Sequence, residues 1–233
     1  MWPFSKRLTL SSSRVFEGFT DCHSHILPGV DDGVKELRES LAILGRYEEM
    51  GFKSVWFTPH IMEDYPNTTA DLRRGFEELK EAYAGPLELH LGAENMIDNL
   101  FEKRLEANDF LPMGHRGDHL LVETSYFTPP YGFRETLEKV KSKGYFPVLA
   151  HPERYVYMGP KDYDRLKEMK ILFQLNLFSL TGYYGSSVKR VAETLLKKGY
   201  YDYAGTDIHS ITMLDGWPQR PVAPKSLPPF RSL

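Results

Sequence analysis

The stretch FTDCHSHILPGVDDG, residues 19–33, decides the fold class of this chain. Alternate residues of a strand point to the same face, so His23 and His25 would lie side by side. Two imidazoles at this spacing can chelate one metal ion, although histidine also occurs as a structural core residue. Either of the two aspartates that follow, Asp31 or Asp32, can cap the next helix, and one of them can also be a ligand, since the two roles are compatible. The stretch therefore predicts a strand that ends in a metal-binding loop.

Histidines and acids recur in short groups further along the chain, and most of the groups follow an apolar or β-branched run. The groups are TPH at 58–60, GAE at 92–94, VE at 122–123, HPER at 151–154 and TDIH at 206–209. Side chains at the carboxyl ends of successive parallel strands meet at one mouth of an α/β barrel. Imidazole and carboxylate groups that converge in a water-accessible cleft can bind divalent metal ions. The joint pattern predicts a metal-dependent hydrolase, although each group taken singly has a structural explanation.

The candidate ligands are the histidines and acids of these groups. They are His23, His25, Asp31 or Asp32, His60, Glu94, Glu123, His151, Asp207 and His209. Glu94 and Glu123 end apolar strands, where a carboxylate is costly to bury unless paired or metal-bound; an exposed position is the alternative. Arg154 is a candidate anion clamp because a guanidinium binds phosphate oxygens in a bidentate manner. Its alternative is a surface pair with Glu153.

Apolar runs alternate with helical periodicities along the chain. The predicted strands are 19–23, 54–58, 87–93, 119–122, 146–150, 171–175 and 201–204. The predicted helices are 34–50, 68–84, 99–107, 134–143, 162–169 and 188–198, the first with Leu37, Leu41, Leu44 and Tyr47 on its apolar face. This alternation indicates a parallel sheet with right-handed crossovers. Candidate ligands from most strands favour a closed barrel over an open doubly wound sheet.

Composition narrows the functional classes. The chain has 233 residues, 41% of them hydrophobic and 26% charged, which suits one globular α/β domain. A net charge of −3 without a basic cluster argues against a nucleic-acid partner. The one cysteine, Cys22, excludes an internal disulfide framework, and its side chain alternates away from those of Asp21 and His23. We therefore expect a buried structural thiol, a cytoplasmic protein, and no stable membrane insertion, since long apolar runs are missing.

Three segments are expected along the chain. They are an N-terminal extension at 1–18, a barrel domain at 19–215 and a Pro-rich tail at 216–233 that is extended or disordered. Three further histidines are interpreted as structural or exposed: His90, His115 and His119. Aromatic residues after the fourth and fifth strands form either a rim for a ring-bearing substrate or ordinary loop packing. These are Tyr126, Phe127, Tyr131, Tyr155 and Tyr157.

Together the motifs resemble the PHP (polymerase and histidinol phosphatase) superfamily of metal-dependent phosphoesterases. HSHILPGVDDG at 23–33 with HPER at 151–154 is similar to the bacterial manganese-dependent protein-tyrosine phosphatases of capsule and exopolysaccharide operons. The resemblance covers roughly residues 19–210 and implies a single-domain, distorted (β/α)7 TIM-like barrel, the PHP fold. It also implies a phosphoric monoester hydrolase that removes phosphate from tyrosines of a polysaccharide-assembly kinase by means of a metal-activated water.

The resemblance further implies three divalent metal ions, Mn²⁺ with Fe²⁺ or Zn²⁺ as alternatives. By position, the first would be held by His23, His25, Glu94 and Asp207, the second by Glu94, Glu123 and His151, and the third by Asp32, His60 and His209. Asp32 is preferred here to Asp31. Arg154 would bind the phosphate, and Arg154 and Asp207 would act in catalysis.

The sequence departs from the family pattern after the last motif. The family usually continues with one or two helices, often with an arginine near the site, whereas this chain is Pro-rich from Gly216. Barrel closure, oligomeric state and part of the substrate pocket therefore stay open. The alternative function is a histidinol-phosphatase-like small-molecule phosphoesterase. An amidohydrolase would typically carry a lysine at a strand end, which this sequence lacks, and an inert binding module would lack ligands.

Overall fold

The computed structural model describes residues 16–220, together with Thr9 and Phe230. Its strands are β1 Thr20–Asp21, β2 Ser54–Phe57, β3 His60–Ile61, β4 Glu88–Leu91, β5 Glu94–Met96, β6 His119–Glu123, β7 Phe146–Ala150, β8 Leu172–Asn176 and β9 Tyr203–Gly205. Its helices are α1 Leu37–Met50, α2 Thr69–Ala82, α3 Asn99–Ala107, α4 Phe133–Ser142, α5 Pro160–Glu168, α6 Leu177–Thr181, α7 Ser186–Lys197 and α8 Ile211–Leu214.

The strands pair in parallel throughout, in the orders β1-β2-β4 and β3-β5-β6-β7-β8-β9. Backbone hydrogen bonds join the outer strands, because Cys22 N–H donates to Ala204 O at 3.2 Å and His25 N–H to Ile208 O at 2.9 Å. The sheet is therefore curled, with helices in the connections except those between β2 and β3 and between β4 and β5. This confirms the parallel α/β architecture expected from the alternating sequence pattern.

Two predicted strands are interrupted, and after each interruption the pairing resumes at a candidate ligand. The predicted strand 54–58 ends at Phe57, and pairing resumes at His60 beyond Pro59, which has no N–H to donate. The predicted strand 87–93 stops at Leu91 and resumes at Glu94. A Cβ at Gly92 would lie 2.6 Å from Cγ of Met113, so any larger residue would require the Met113 side chain to shift. Glu94 thus begins a strand instead of ending one, and it pairs in register with His60.

Helix α1 shows a second difference from the predicted pattern. Its buried stripe consists of Ser40, Ile43, Leu44 and Tyr47, which are spaced three and four residues apart. As predicted for the apolar face, Leu44 and Tyr47 are buried, and Leu41 is partly buried against the core. The prediction is wrong for Leu37 alone, whose side chain is 39% exposed in the first turn. The helix ends at Gly51, whose φ of 87° suits glycine.

The beginning of the predicted tail is folded. Trp217 lies in a 3₁₀ turn, is 1% exposed, and stacks on Phe178 of helix α6 with ring centroids 4.3 Å apart. Phe16 approaches the same indole at 5.2 Å. The prediction of extended chain from Gly216 is therefore wrong for residues 216–220. Apart from Thr9 and Phe230, residues 1–15 of the predicted extension and 221–233 of the predicted tail lie outside the described residues.

Cys22 lies with six other buried residues of the strands and loops, among them Trp56, Leu121 and Val148. Burial raises the pKa of its thiol, and the charge of Asp21 raises it further. The prediction of a buried structural thiol is confirmed. Within residues 16–220, none of the helices has the length and apolar character needed to cross a membrane.

Candidate metal centre

The structure brings all nine predicted ligands to the same end of the curled sheet, where strands β3, β5, β6 and β7 and the segments after β1 and β9 meet. Seven of the nine are buried, including Glu94 and Glu123, so the exposed alternative is wrong for both glutamates. His209 is half-buried, and the side chain of Asp32 is 51% exposed. The cluster is thus deep on one side and open to solvent at Asp32.

The first group of converging atoms agrees with the first expected ligand set. His23 Nε2 and His25 Nε2 lie 3.0 Å apart, and each lies 3.2 Å from Glu94 Oε2. Asp207 Oδ1 lies 3.5 Å from the first imidazole and 3.3 Å from the second. Four ligand atoms around a metal at 2.0–2.2 Å would be about 3.4 Å apart. The spacing of these side chains therefore suits a shared metal ion.

Two further groups differ in detail from the expected sets. Asp32 Oδ1 lies 3.5 Å from His60 Nε2 and 3.6 Å from His209 Nε2, with His25 in the same group. His60 Nδ1 also lies 2.9 Å from Glu123 Oε1 and 3.3 Å from Glu94 Oε2, forming a third group. His151 was expected with the two glutamates; its Nε2 lies 3.1 Å from Glu94 Oε1 and outside the tighter group.

Several buried atoms in the cluster lack a well-formed hydrogen bond. They include Glu94 Oε2, Glu123 Oε1 and His60 Nδ1, which approach one another without suitable geometry. Buried polar atoms are nearly always hydrogen-bonded, so a group of them that converges without such bonds fits a cation. A set of imidazole and carboxylate donors suits Mn²⁺, Fe²⁺ or Zn²⁺. The residues present therefore fit divalent metal ions.

Asp31 has a different role from Asp32. Its Oδ2 accepts hydrogen bonds from His25 Nδ1 at 2.8 Å and from His60 N–H at 3.0 Å, and its Oδ1 accepts from Gly33 N–H at 2.9 Å. Burial opposes ionisation of Asp31, but His25 and the backbone of His60 hold its pKa below the ordinary value. Its carboxylate keeps the proton of His25 on Nδ1, which leaves Nε2 free to bind a metal.

Gln174 plays the same part for His23 and was missed by sequence reasoning. Its Oε1 accepts from His23 Nδ1 at 3.1 Å and from His151 N–H at 3.2 Å. Gln174 is fully buried in the apolar strand β8. Burial of a glutamine in such an apolar run is unfavourable unless its amide is hydrogen-bonded. Its presence in the run was therefore the sequence signal for a buried polar role.

The charges of the cluster balance through opposite pKa shifts. Burial and the neighbouring His25 lower the pKa of His60, but Glu123 and Glu94 outweigh them and raise it to about 9. Burial opposes ionisation of Glu94, whereas His23 and hydrogen bonds from the surrounding imidazoles hold its pKa well below the ordinary value. Without a metal, the buried carboxylates and the protonated imidazoles therefore stabilise each other's charged forms. A bound metal ion would supply that positive charge instead and requires neutral imidazoles.

Arg154 lies at the edge of the cluster. Its Nη1 donates to Asp207 Oδ2 at 2.7 Å. Glu153 is buried and accepts instead from Asn176 N–H and Tyr201 O–H, so the alternative of a surface Arg–Glu pair is wrong. The Arg154 side chain, 17% exposed, is therefore hydrogen-bonded to a candidate metal ligand instead of to Glu153.

The aromatic residues of the loops divide between the two interpretations. Tyr126 and Tyr155 pack near His151, with ring centroids 5.8 Å from the imidazole in each case. Phe127 and Tyr131 are exposed, the former by 74%.

The remaining histidines are structural or exposed as expected. His90 stacks on Trp56, His119 bonds to Tyr203, and His115 is exposed.

The fold and the cluster define a parallel α/β protein with a His/Asp/Glu site able to bind metal at its strand ends. A family model described as "Capsular polysaccharide synthesis, CpsB/CapC" matches residues 19–215. The chain therefore belongs to the CpsB/CapC family of capsular polysaccharide synthesis. This agrees with the resemblance that the motifs carry.

Curated relatives are similar over most of the chain. A putative tyrosine-protein phosphatase CapC of Staphylococcus aureus is 27% identical over 204 residues, covering 82% of this chain and 77% of the relative. The tyrosine-protein phosphatase YwqE of Bacillus subtilis is 27% identical over 197 residues, with the same coverage of both chains.

Solved structures show the same fold. One, described with YwqE from Bacillus subtilis and CpsB from Streptococcus pneumoniae as "unique metal-dependent tyrosine phosphatases", has a TM-score of 0.76 and 26% identity. That match covers 87% of this chain and 84% of the other. A lactonase from Listeria monocytogenes, Lmo2620, has a TM-score of 0.56 at 14% identity, covering 90% and 84%. The second likeness concerns the fold alone.

Proposed function

We propose that the chain is a metal-dependent protein-tyrosine phosphatase, a phosphoric monoester hydrolase of capsule or exopolysaccharide synthesis. The observation that carries this proposal is the convergence of His23, His25, Glu94 and Asp207 on one point, with Arg154 beside them. Relatives named as tyrosine-protein phosphatases support the substrate class. The substrate would be phosphotyrosine on a polysaccharide-assembly kinase, in the cytoplasm.

The metal centre would hold three divalent ions, with Mn²⁺ as the first choice. The proposed ligands are His23, His25, Asp32, His60, Glu94, Glu123, His151, Asp207 and His209. When bound, such ions would supply the Lewis acidity that activates water as a nucleophile, and positive charge beside the phosphate. Asp31 and Gln174 orient the imidazoles that bind them.

The residues of the chain act on the phosphate and its leaving group. Arg154 would bind two equatorial phosphate oxygens, where negative charge is concentrated during transfer. Asp207 would hold a metal through Oδ1 while its Oδ2 fixes Arg154. The tyrosine hydroxyl has a pKa of about 10, so its phenolate is a fair leaving group. Cys22 takes no part, because its thiol is buried away from the cluster.

We further propose that the curled sheet is the distorted seven-position barrel expected of the PHP fold. Strand β3 continues β2 beyond Pro59, and β5 continues β4 beyond Gly92, so nine strands occupy seven positions. The hydrogen bonds from Cys22 and His25 to the β9 segment support closure. The domain would span 19–215.

The substrate class is tested by comparing two phosphate esters. The Mn²⁺-loaded protein is assayed on a phosphotyrosine peptide and on histidinol phosphate, with Asp207→Asn as the inactive variant and Asp202→Asn as a matched control. Asp202 bonds to Lys167 and Phe173 at the far end of strand β9. We expect a higher kcat/KM on the peptide, absent in Asp207→Asn and retained in Asp202→Asn. Hydrolysis of histidinol phosphate alone would favour the small-molecule phosphoesterase.

A further inference from the structure

The two oxygens of Asp207 face different partners. Oδ1 faces the imidazoles of His23 and His25, and Oδ2 accepts from Arg154 Nη1 at 2.7 Å and from Asn176 Nδ2 at 2.8 Å. The carboxylate is 1% exposed, so these donors set its plane. Asp207 also has a left-handed backbone with φ of 55°, held by its N–H bond to His23 O. The candidate metal ligand Asp207 and the candidate phosphate-binding residue Arg154 are thus directly hydrogen-bonded to each other.

Asn176 is fixed in a single orientation. It ends strand β8 and caps helix α6, because its Oδ1 accepts from Phe178 N–H at 2.9 Å. Its Nδ2 then donates both to Asp207 Oδ2 and to the hydroxyl of Tyr184, the latter at 3.2 Å. Turning the amide over would lose the cap and place oxygen against a carboxylate. Asn176 therefore connects Tyr184 to Asp207.

The guanidinium of Arg154 contacts two tyrosine rings. Its Cζ is 4.2 Å from the ring centre of Tyr184 and 4.4 Å from that of Tyr126. The loop that carries Tyr126 is bound to the segment after Arg154, since Val156 N–H donates to Tyr126 O at 2.9 Å. Contact with two aromatic rings restricts the positions that the guanidinium can take.

We infer that Tyr184, Tyr126 and Asn176 are positioning residues for phosphate binding, an inference that rests on the proposed function. The two rings hold the guanidinium of Arg154 in place, and Asn176 holds both Oδ2 of Asp207 and the hydroxyl of Tyr184. Without the Tyr184 ring, a long arginine side chain gains rotational freedom that phosphate binding must then remove. Phosphate affinity is the quantity that should fall, more than the rate of the bound complex.

The first test compares Tyr184→Leu with Tyr184→Phe in the metal-loaded protein. One ring–guanidinium contact corresponds to about two- to thirtyfold in affinity. We expect Tyr184→Leu to raise KM for the phosphotyrosine peptide, and the calorimetric Kd of inorganic phosphate, by a factor in this range while kcat changes less. Tyr184→Phe keeps the ring and should recover most of the affinity. Tyr200→Leu is the control, since Tyr200 bonds to Asp164 on the far side of the sheet.

A double-mutant cycle with Arg154→Ala separates positioning from a general structural effect. If Tyr184 acts through Arg154, Tyr184→Leu should not weaken phosphate binding further when Arg154 is already alanine. An equal loss in both backgrounds would overturn the inference. Should Tyr184→Leu fail to fold, Tyr126→Leu enters the same cycle.

The phosphate titration also distinguishes this inference from the proposed function. Unchanged phosphate affinity in Tyr184→Leu, with a clear loss in Arg154→Ala, would refute the positioning role and leave the phosphatase proposal intact. Absence of peptide hydrolysis in the wild type, with phosphate binding still dependent on both Arg154 and Tyr184, would refute the substrate and support the positioning role.

Discussion

Replacing Asp31 by asparagine should weaken metal binding without removing a metal ligand. Asp31 accepts three hydrogen bonds, two on Oδ2 from His25 and His60 and one on Oδ1 from Gly33. Asparagine has one acceptor oxygen, so its amide group must face either Gly33 N–H or the His25 ring. In the second orientation the amide donates to Nδ1 and moves the proton of His25 to Nε2, the atom that faces the cluster.

The expected loss of metal affinity is moderate, because Asp31 orients a candidate metal ligand and is not itself one. Loss of a hydrogen bond that orients a metal-binding histidine typically costs about 10- to 100-fold in metal affinity, or roughly 1.4–2.8 kcal/mol. A buried donor left without an acceptor adds about 1–3 kcal/mol of destabilisation of the fold. We therefore expect half-activation of Asp31→Asn at a Mn²⁺ concentration about 10- to 100-fold higher than in the wild type.

The assay adds Mn²⁺ back to metal-stripped protein and follows phosphotyrosine peptide hydrolysis, with heat of metal binding as a second readout. Asp202→Asn is the matched control, because Asp202 also accepts from a backbone N–H, that of Phe173, but at the far end of the sheet. It should keep the wild-type Mn²⁺ dependence. The same Mn²⁺ requirement in Asp31→Asn and the wild type would refute the orienting role of Asp31.

Three further substitutions test other parts of the account. Asp207→Ala should abolish hydrolysis, a loss beyond about 100-fold, while far-ultraviolet circular dichroism stays native; wild-type turnover would contradict its role. Cys22→Ser should keep kcat, and native protein should resist thiol alkylation because burial raises the pKa of Cys22; lost activity in a folded variant would argue for a thiol mechanism. Trp217→Ala should lower the free energy of unfolding by about 3–5 kcal/mol in urea titrations, since the indole is buried against Phe178; a loss below about 1 kcal/mol would show that this packing is unimportant.

Much of the fold was predictable because apolar residues recur at different spacings in strands and in helices. Helix α3 and strand β7 have the bounds that the sequence predicts, and the other five predicted helices begin and end within three residues of the predicted positions. The breaks at Pro59 and Gly92 were harder, because pairing resumes only through contacts with neighbouring strands. Helix α6 was missed, since its five residues are too short for a periodic signal and its cap, Asn176, reads as part of a strand.

The candidate ligands were predictable for a geometric reason. Residues that follow successive parallel strands must meet at one end of the sheet, so His60 and Asp207 could be grouped without a structure. No comparable rule locates the residues that orient the ligands or contact Arg154. Asp31, Gln174 and Tyr184 take their roles from side-chain contacts across 6 to 151 positions of sequence, as in the bond from Gln174 to His23.

The most direct test of the central claim is the stepwise return of Mn²⁺ to chelator-treated protein, with bound metal counted by mass spectrometry as phosphotyrosine peptide hydrolysis is followed. We predict that stripped protein is inactive and that activity returns as three ions bind per chain. Full hydrolysis by protein shown to contain no metal would contradict the proposed metal centre.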